Sequence, residues 1–586
     1  MSTRLRQHSD RQPLKRAAVE RKSKATLDCL RVDSDHKPKS IAFQSLSTSS
    51  YWRRAGGALP AIRFWPSDSW ARKSTYSEWF AIFMVGAFMN RRDFLERTTI
   101  VISAGLASGI LPDRYGLIAS ALAAGNADQK ASLEQKFAEF ALAIRYEDLP
   151  ADVVTSAKRV LLDTLGCAFG SVGSEPANIA ETTIRKTFGN GNTATVIGYP
   201  RSATVEGALF VNGVLVRSLD MNDTYIGTEP LHPSEVIPTA LAICEEQERS
   251  GRDLVEAIIV GYEASMRVND AISFLERGFH PLCAASYGIP LIAGKVWGLP
   301  KEALANAVGI SGARGFTSFV VNSGSISMMK AMGLAATAID GVFATRLAAQ
   351  GFTGPSGTLE WLASKMKPAK ESLAVDLEVA RYRLPRVAFK RFPVQIELQA
   401  VAEAGAILSA KINGRTQDIR TITVETYPGI IERVADPAKF RPQTKGTADH
   451  SLPVCLAMAL LDGDVTVVQF EKDRWREQDV VALVGKTSVK PGESLIAKLP
   501  NGRGATVEIV LVDGQSLRET VEIPEGDALR PLSRESLERK FMSFAVPVVG
   551  KAAGERIMSL VAGIEDLKNV QELTRELKGT GKQNPS

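Results

Sequence analysis

Five histidines occur in the 586 residues, and three of them stand in short strings marked by Pro, Gly or Asp. His232 lies in LHPSE (231–235), His280 in GFHP (278–281) and His450 in ADHS (448–451). Histidine exchanges protons near neutral pH without extreme tuning, so this placement points to acid–base chemistry. Each also fits a plain role as a polar side chain satisfied within the fold. Around the first runs SLDMNDTYIGTEPLHPSE (218–235). There Asp220 and Thr224 stand four apart and share a face if the preceding helix continues. Ser234 is placed to cap the next helix, whose N–H groups suit a carboxylate. Lys330 opens an apolar, alanine-rich helix in NSGSISMMKAMGLAATAIDG (322–341), where snorkelling is the plain alternative. Lys390 and Arg391 precede Phe and Pro in FKRFP (389–393), and His450 ends the polar half of TKGTADHSLP (444–453).

Two histidines can serve as base and acid in proton transfer. Two lysines can hold an anion and offset charge that builds on it. Residue types leave open which histidine is the base. Two other strings carry no such chemistry. GNGNTA (189–194) fits a dinucleotide-binding pattern but follows a helix and precedes strand-like TATVIG, the wrong order for that fold. Ser327-Met-Met-Lys330 has the spacing of an acyl-enzyme serine hydrolase without its partner motifs.

These residues need elements to carry them. Apolar positions recur at helical spacing over 149–170, 205–216, 235–246, 253–268, 301–308 and 332–349, with Gly, Pro or Asn between. Beyond FKRFP a further helix is expected over 396–410, then alternating strands over 419–427, 505–512 and 517–523. Helices return over 533–545 and 554–577. The expected fold is mostly α: a large helical domain (128–388), interrupted by a smaller α+β domain (389–524), with C-terminal helices (525–586) rejoining the first.

The charge is uneven. Residues 1–88 carry 16 Lys and Arg against 7 Asp and Glu, a surplus of nine within a total of +6, so the remainder is net −3. A mildly acidic body gives no support to nucleic-acid binding. This leader also holds four of the seven tryptophans and reads as foreign to the rest of the chain. From Met89 the chain has paired Arg91–Arg92, an apolar stretch from Thr98 to Leu111 and an Ala121-Leu122-Ala123 site, which resembles a twin-arginine export signal over 89–127. On that reading Met89 is the start, the export machinery is a partner and the protein is periplasmic. The five cysteines are irregularly spaced with no CxxC, which points to free thiols rather than a disulfide framework or a zinc site.

Taken in order, the motifs resemble the MmgE/PrpD family of 2-methylcitrate dehydratase and cis-aconitate decarboxylase. The resemblance runs from about Leu133 to about Leu560. It rests on LPADVVTSAKRVLLDTLGCAFG, the Asp220-x-x-x-Thr224…HPS string, GFHP, Lys330 twenty-one residues before GFTGP (351–355), FKRFP, and TADHSLP followed by ALLDG. It implies a homodimeric, cofactor-independent lyase without a metal, acting on a small di- or tricarboxylate. A 2-methylcitrate dehydratase-like hydro-lyase is the first expectation; decarboxylase, epimerase or non-catalytic carboxylate binder are the alternatives. It carries over Asp220, His232, His280 and Lys330 as catalytic and Thr224, Lys390, Arg391 and His450 as substrate-binding. The chain departs from the family pattern at Gly333, where His is usual, at Leu282-Cys283, where Thr-Gly is usual, and at Gln395, where decarboxylase-like members have His.

Overall fold

The computed structural model describes residues 131–189, 191–365, 373–499 and 502–579; the leader and the export-signal reading lie outside the described residues. The described chain is mostly α. Helix α1 (Leu133–Ala143) starts at a capping box in which the Ser132 hydroxyl accepts from the Gln135 amide and the Gln135 side chain accepts in return. Helix α2 (Ala151–Gly170) buries Val153, Ala157, Val160, Leu161 and Leu165, the stripe its spacing dictates. After α3 (Glu175–Phe188) come α4 (Val205–Ser218), α5 (Ile237–Glu246), α6 (Gly251–Ala271), α7 (Ala285–Val296), α8 (Lys301–Arg314), α9 (Met329–Ala349) and α10 (Thr358–Lys365).

Small residues let these helices approach closely. A side chain at Gly213 of α4 would come within 3.1 Å of the Ala335 methyl on α9. That approach brings the last turn of α4, with Arg217, beside the first turn of α9, with Lys330. Helix α9 is long and apolar enough to cross a membrane by length and composition, but it packs against α4 and α8 as a core helix.

A second, separate core follows. It is built from α11 (Gln399–Ile412), α12 (Pro428–Val434), α13 (Leu452–Asp462) and a four-stranded sheet of β1 (Ile419–Thr426), β2 (Thr487–Pro491), β3 (Ala505–Leu511) and β4 (Ser516–Val521). The strand order is β2-β1-β3-β4, with β1 and β2 parallel and the other pairs antiparallel. Ile422 and Val424 of β1 oppose Ile509 and Val507 of β3, so one face is apolar and covered by the helices. Helices α14 (Arg534–Val549) and α15 (Lys551–Ala562) belong to the first core: Phe541 of α14 packs edge-on against Phe169 of α2 at 6.1 Å.

Four details depart from the sequence reading. Edge strand β2 was not expected, because it is largely exposed and lacks apolar alternation. The helix expected over 554–577 breaks at Gly563, resuming at Gln571–Glu576. Helix α4 stops at Ser218, so Asp220 and Thr224 do not share a helical face; Asp220 instead adopts a left-handed φ of 56°. Ser234 lies inside a 3-10 turn, Pro233–Val236, and its amide donates to the Asp223 carboxylate at 3.0 Å, so that N–H is not open to a ligand.

Candidate active site

The three histidines meet at a cavity of about 360 Å³, near the small end for ligand sites. His232, His280 and His450 line it together with Arg217, Asp220, Asn322, Gln395, Arg433 and Lys439. A larger cavity of about 760 Å³, lined by Arg391, Lys540 and Phe544 among others, contains none of the histidines.

Asp220 is the hub. Its carboxylate pairs with Arg217, with the Lys330 ammonium at 2.9 Å and with the Lys390 ammonium at 3.1 Å; Lys390 also donates to the Asp220 carbonyl at 2.8 Å. Asp tolerates the left-handed backbone better than most residues, and three cations on its side chain hold it there. Burial alone would raise this carboxyl, but Lys330, Lys390 and Arg217 outweigh it and keep the group well below the ordinary range. Burial lowers Lys390 to about 8 against the pull of Asp220. Glu235, 3.2 Å from Arg217, is raised by burial to about 7. Three cations therefore converge on one ionised carboxylate, with Glu235 beside Arg217 and Asp449 acting on Arg217 and Lys330.

The ring partners set the histidine tautomers. His232 Nδ1 lies 2.8 Å from the Asp223 carbonyl, which only accepts, so Nδ1 carries the proton and Nε2 the lone pair. The Thr224 hydroxyl sits 3.2 Å from the same Nδ1. His450 Nδ1 lies 2.6 Å from the Asp449 carboxylate, a dyad that also leaves the lone pair on Nε2. His280 occupies the N-cap of the turn Pro281–Ala284, and its Nδ1 accepts from the Leu282 amide at 3.1 Å. All three rings are lowered, first by burial. Nearby Arg217 and Lys390 add to this at His232, Lys330 at His450, and Arg217 and Lys330 at His280, which falls to about 3.

Three residues read from sequence as substrate contacts are off the cavity wall. Thr224 supports His232, and its backbone pairs with Ala388. Lys390 is completely enclosed behind Asp220. Arg391 pairs with Glu525 at 2.9 Å and stacks on the Phe392 ring at 4.8 Å, facing away from Asp220's cluster. Lys330, 9% exposed, likewise reaches Asp220 rather than the wall. His450, read from sequence as substrate-binding, is brought into the same wall as His232 and His280.

Sequence reasoning missed Arg217, Asn322, Arg433, Lys439 and the partner role of Asp449. Two had local signals: Arg217 stands three residues before Asp220, and Asp449 directly precedes His450. It also missed a buried anchor. Lys540 of α14 donates to Asp163 of α2 at 2.7 Å and to the carbonyls of Met221 and Lys390 at 2.9 and 3.0 Å. Asp163 outweighs burial and raises this amine, so it stays charged. One ammonium thus ties together the two backbone segments that carry Asp220 and Lys390.

Two departures from the family pattern touch each other. A Cβ at Gly333 would lie 2.8 Å from Cδ2 of Leu282, so Leu282 fills the space that a side chain at 333 would take. The thiols of Cys167, Cys244, Cys283 and Cys455 are free and buried. Among the described residues no group of three or more His, Cys, Asp or Glu side chains is arranged to hold a metal ion.

Fold and site together define a mostly helical protein with a second α+β core and a cavity of histidines and cations gathered on one aspartate. The chain belongs to the MmgE/PrpD family: residues 135–363 match the MmgE/PrpD N-terminal domain and residues 392–566 the C-terminal domain. It is 28% identical over 468 residues to cis-aconitate decarboxylase from Homo sapiens, covering 76% of this chain and 95% of that protein. It is 25% identical over 479 residues to cis-aconitate decarboxylase from Aspergillus terreus (76% and 96%). It is 24% identical over 419 residues to 2-methylcitrate dehydratase from Escherichia coli strain K12 (66% and 84%).

Proposed function

We propose that the chain is a cofactor-independent lyase acting on a small di- or tricarboxylate, and that the reaction is elimination of water from a hydroxy-carboxylate. The observation that carries this is the sharing of one carboxylate, Asp220, by three buried cations at a wall lined by three histidines. A substrate carboxylate near Arg217 meets a positive field that strengthens in a water-poor cavity. A ring Nε2 lone pair then takes the C–H proton beside that carboxylate, the electron pair forms the C=C bond, and the hydroxyl departs as water with a proton from the same cluster. His232 and His450 hold such lone pairs. Asp220, Lys330 and Lys390 set the field, and Thr224 orients His232. In this reading the α+β part acts as a lid, the chain is a homodimer, and residues 89–127 direct it to the periplasm.

Decarboxylation is the second reading, favoured by the fuller match to the two decarboxylases, 76% of this chain against 66% for the dehydratase. There the bond to a carboxylate breaks, CO₂ leaves, and the carbon takes up a proton. Gln395, where decarboxylase-like members carry His, weighs against it. Incubation of the purified protein with 2-methylcitrate, citrate and cis-aconitate in deuterated water, followed by NMR, separates the two. Loss of water from one substrate supports the dehydratase; evolution of CO₂ replaces it with the decarboxylase; turnover of none refutes the lyase reading for this panel.

A further inference from the structure

Among the three histidines lining the cavity, His280 is wired with the opposite polarity. His232 and His450 each give their Nδ1 proton to an oxygen that only accepts, the Asp223 carbonyl and the Asp449 carboxylate. His280 Nδ1 instead receives a proton from the Leu282 backbone amide, a donor whose direction the turn Pro281–Ala284 fixes. A neutral imidazole has one N–H, so with Nδ1 accepting, that proton sits on Nε2.

Asn322 supplies an independent check. Its side-chain nitrogen lies 2.9 Å from His280 Nε2, while its buried Oδ1 has no partner. Two donors aimed at the two ring nitrogens would require an imidazole stripped of both protons, which is not a state available near neutral pH. The backbone amide cannot turn, but the Asn322 amide can rotate by half a turn about its last bond. That places Oδ1 against an Nε2–H and gives the ring proton an acceptor. The cations facing the ring act in the same sense. Arg217 and Lys330 oppose an imidazolium, as His450 would if protonated; Asp220 favours one but is already shared among three cations, and Glu432 and Asp436 line the same cavity. Protonating Nδ1 would also set its N–H against the Leu282 N–H.

We propose that His280 serves the reaction as a permanently neutral hydrogen-bond donor, whose Nε2–H is held by the Asn322 oxygen without substrate and passes to a substrate oxygen that displaces it, and that proton transfer belongs to the histidines whose Nε2 holds a lone pair. This rests on the carboxylate-lyase reading of the cavity. As charge builds on a carboxylate or departing hydroxyl oxygen, a fixed neutral donor stabilises it without changing its own protonation state. A proton-shuttling residue at this position would have to break its backbone bond in every cycle.

Asn and Gln separate the possibilities, because each keeps one half of the ring. In His280→Asn the side-chain oxygen can still accept from Leu282 but no donor reaches the Nε2 position. In His280→Gln an N–H does reach it, without the cap. The expected order of kcat is wild type, then His280→Gln within about tenfold, with His280→Asn and His280→Ala lower by roughly 10²–10³, the usual loss for one such donor. Rescue by Asn rather than Gln would make His280 a structural cap. Failure of both would make it a proton-transfer residue. Either result overturns the proposal.

A second measurement stands apart from turnover. Long-range ¹H–¹⁵N correlation of the ¹⁵N-histidine-labelled full chain, assigned with the variants, is expected to show His280 as a single Nε2–H tautomer from about pH 5.5 to 8.5, a span across the ordinary histidine value. An Nδ1–H tautomer, or titration within that span, overturns the proposal. Because this is read without substrate, a chain that converts none of the panel would refute the lyase reading while the tautomer is still decided.

Discussion

Replacing Asp220 with Asn keeps the side chain's shape and a carbonyl oxygen but removes the charge that Arg217, Lys330 and Lys390 share. Removing one partner of a buried pair costs about 3–5 kcal/mol, because a charge is left without compensation. The three pairs have one acceptor in common, so their losses do not add. The lysines also have an escape that arginine lacks: they can shed a proton. Burial already holds Lys390 at about 8, and without Asp220 both lysines fall further. A lysine whose folded value lies below its unfolded value costs stability while charged, and that cost vanishes as pH rises through the window between the two. The D220N deficit should therefore be largest at and below neutral pH, about 3–5 kcal/mol, and shrink toward about pH 9–10. The wild-type carboxyl behaves oppositely. Its folded value is depressed, so its contribution is present above the ordinary carboxylate range and lost only as pH falls through the folded value. Urea unfolding of wild type and D220N, followed by circular dichroism at several pH values, measures both trends. A deficit below about 1 kcal/mol at neutral pH, or one that does not change with pH, would refute the picture of a buried cation cluster held by one carboxylate.

In His232→Ala, kcat should drop by roughly 10²–10⁴ through loss of the ring base, with KM changed far less; equal turnover would remove His232 from the chemistry. The pH profile of kcat/KM should show no limb that disappears in variants of His232 or His280, since burial and nearby cations hold both neutral, and should fall above about 8 as Lys390 loses its proton and the positive field weakens. Gly333→His should destabilise the fold by about 1–3 kcal/mol through overpacking against Leu282; Leu282→Thr in the same chain should recover part of that, and simple additivity in the double-mutant cycle would deny the contact. The buried thiols of Cys167, Cys244, Cys283 and Cys455, all pushed up by burial, should resist iodoacetamide in the native protein and react on unfolding, as read by peptide mass spectrometry.

The sequence exposed the chemistry better than its wiring. Helical stripes such as that of α2 are legible because apolar spacing is local, and the motif strings around His232, His280 and His450 do converge on one cavity. The expected roles of Lys390 and Arg391 show where locality ends. Neighbours in FKRFP, one is enclosed against Asp220 and the other turns outward to Glu525. Nothing in their types separates them, because the difference comes from tertiary packing: Phe389, Lys390 and Phe392 are buried and Arg391 alone is exposed, where the chain bends. Lys439 and Arg433 reach the cavity from the α+β part, more than a hundred residues from Asn322, and no periodicity links such pairs. Edge strand β2 was invisible for a related reason: an exposed edge has no apolar face to mark it.

Lys540 has a consequence for how the molecule comes into being. Its single ammonium joins Met221 and Lys390, but it sits on α14, more than three hundred residues after the first of them. A ribosome makes the histidine-bearing segments and both lysines of the Asp220 cluster long before residue 540 emerges. Until then the buried carbonyls of Met221 and Lys390 and the Asp163 carboxylate lack their shared donor. The nascent chain therefore carries its reactive groups before the ammonium that joins their two backbone segments exists. A chain interrupted before α14 would hold every residue that touches the cavity and still lack the clasp that gathers them.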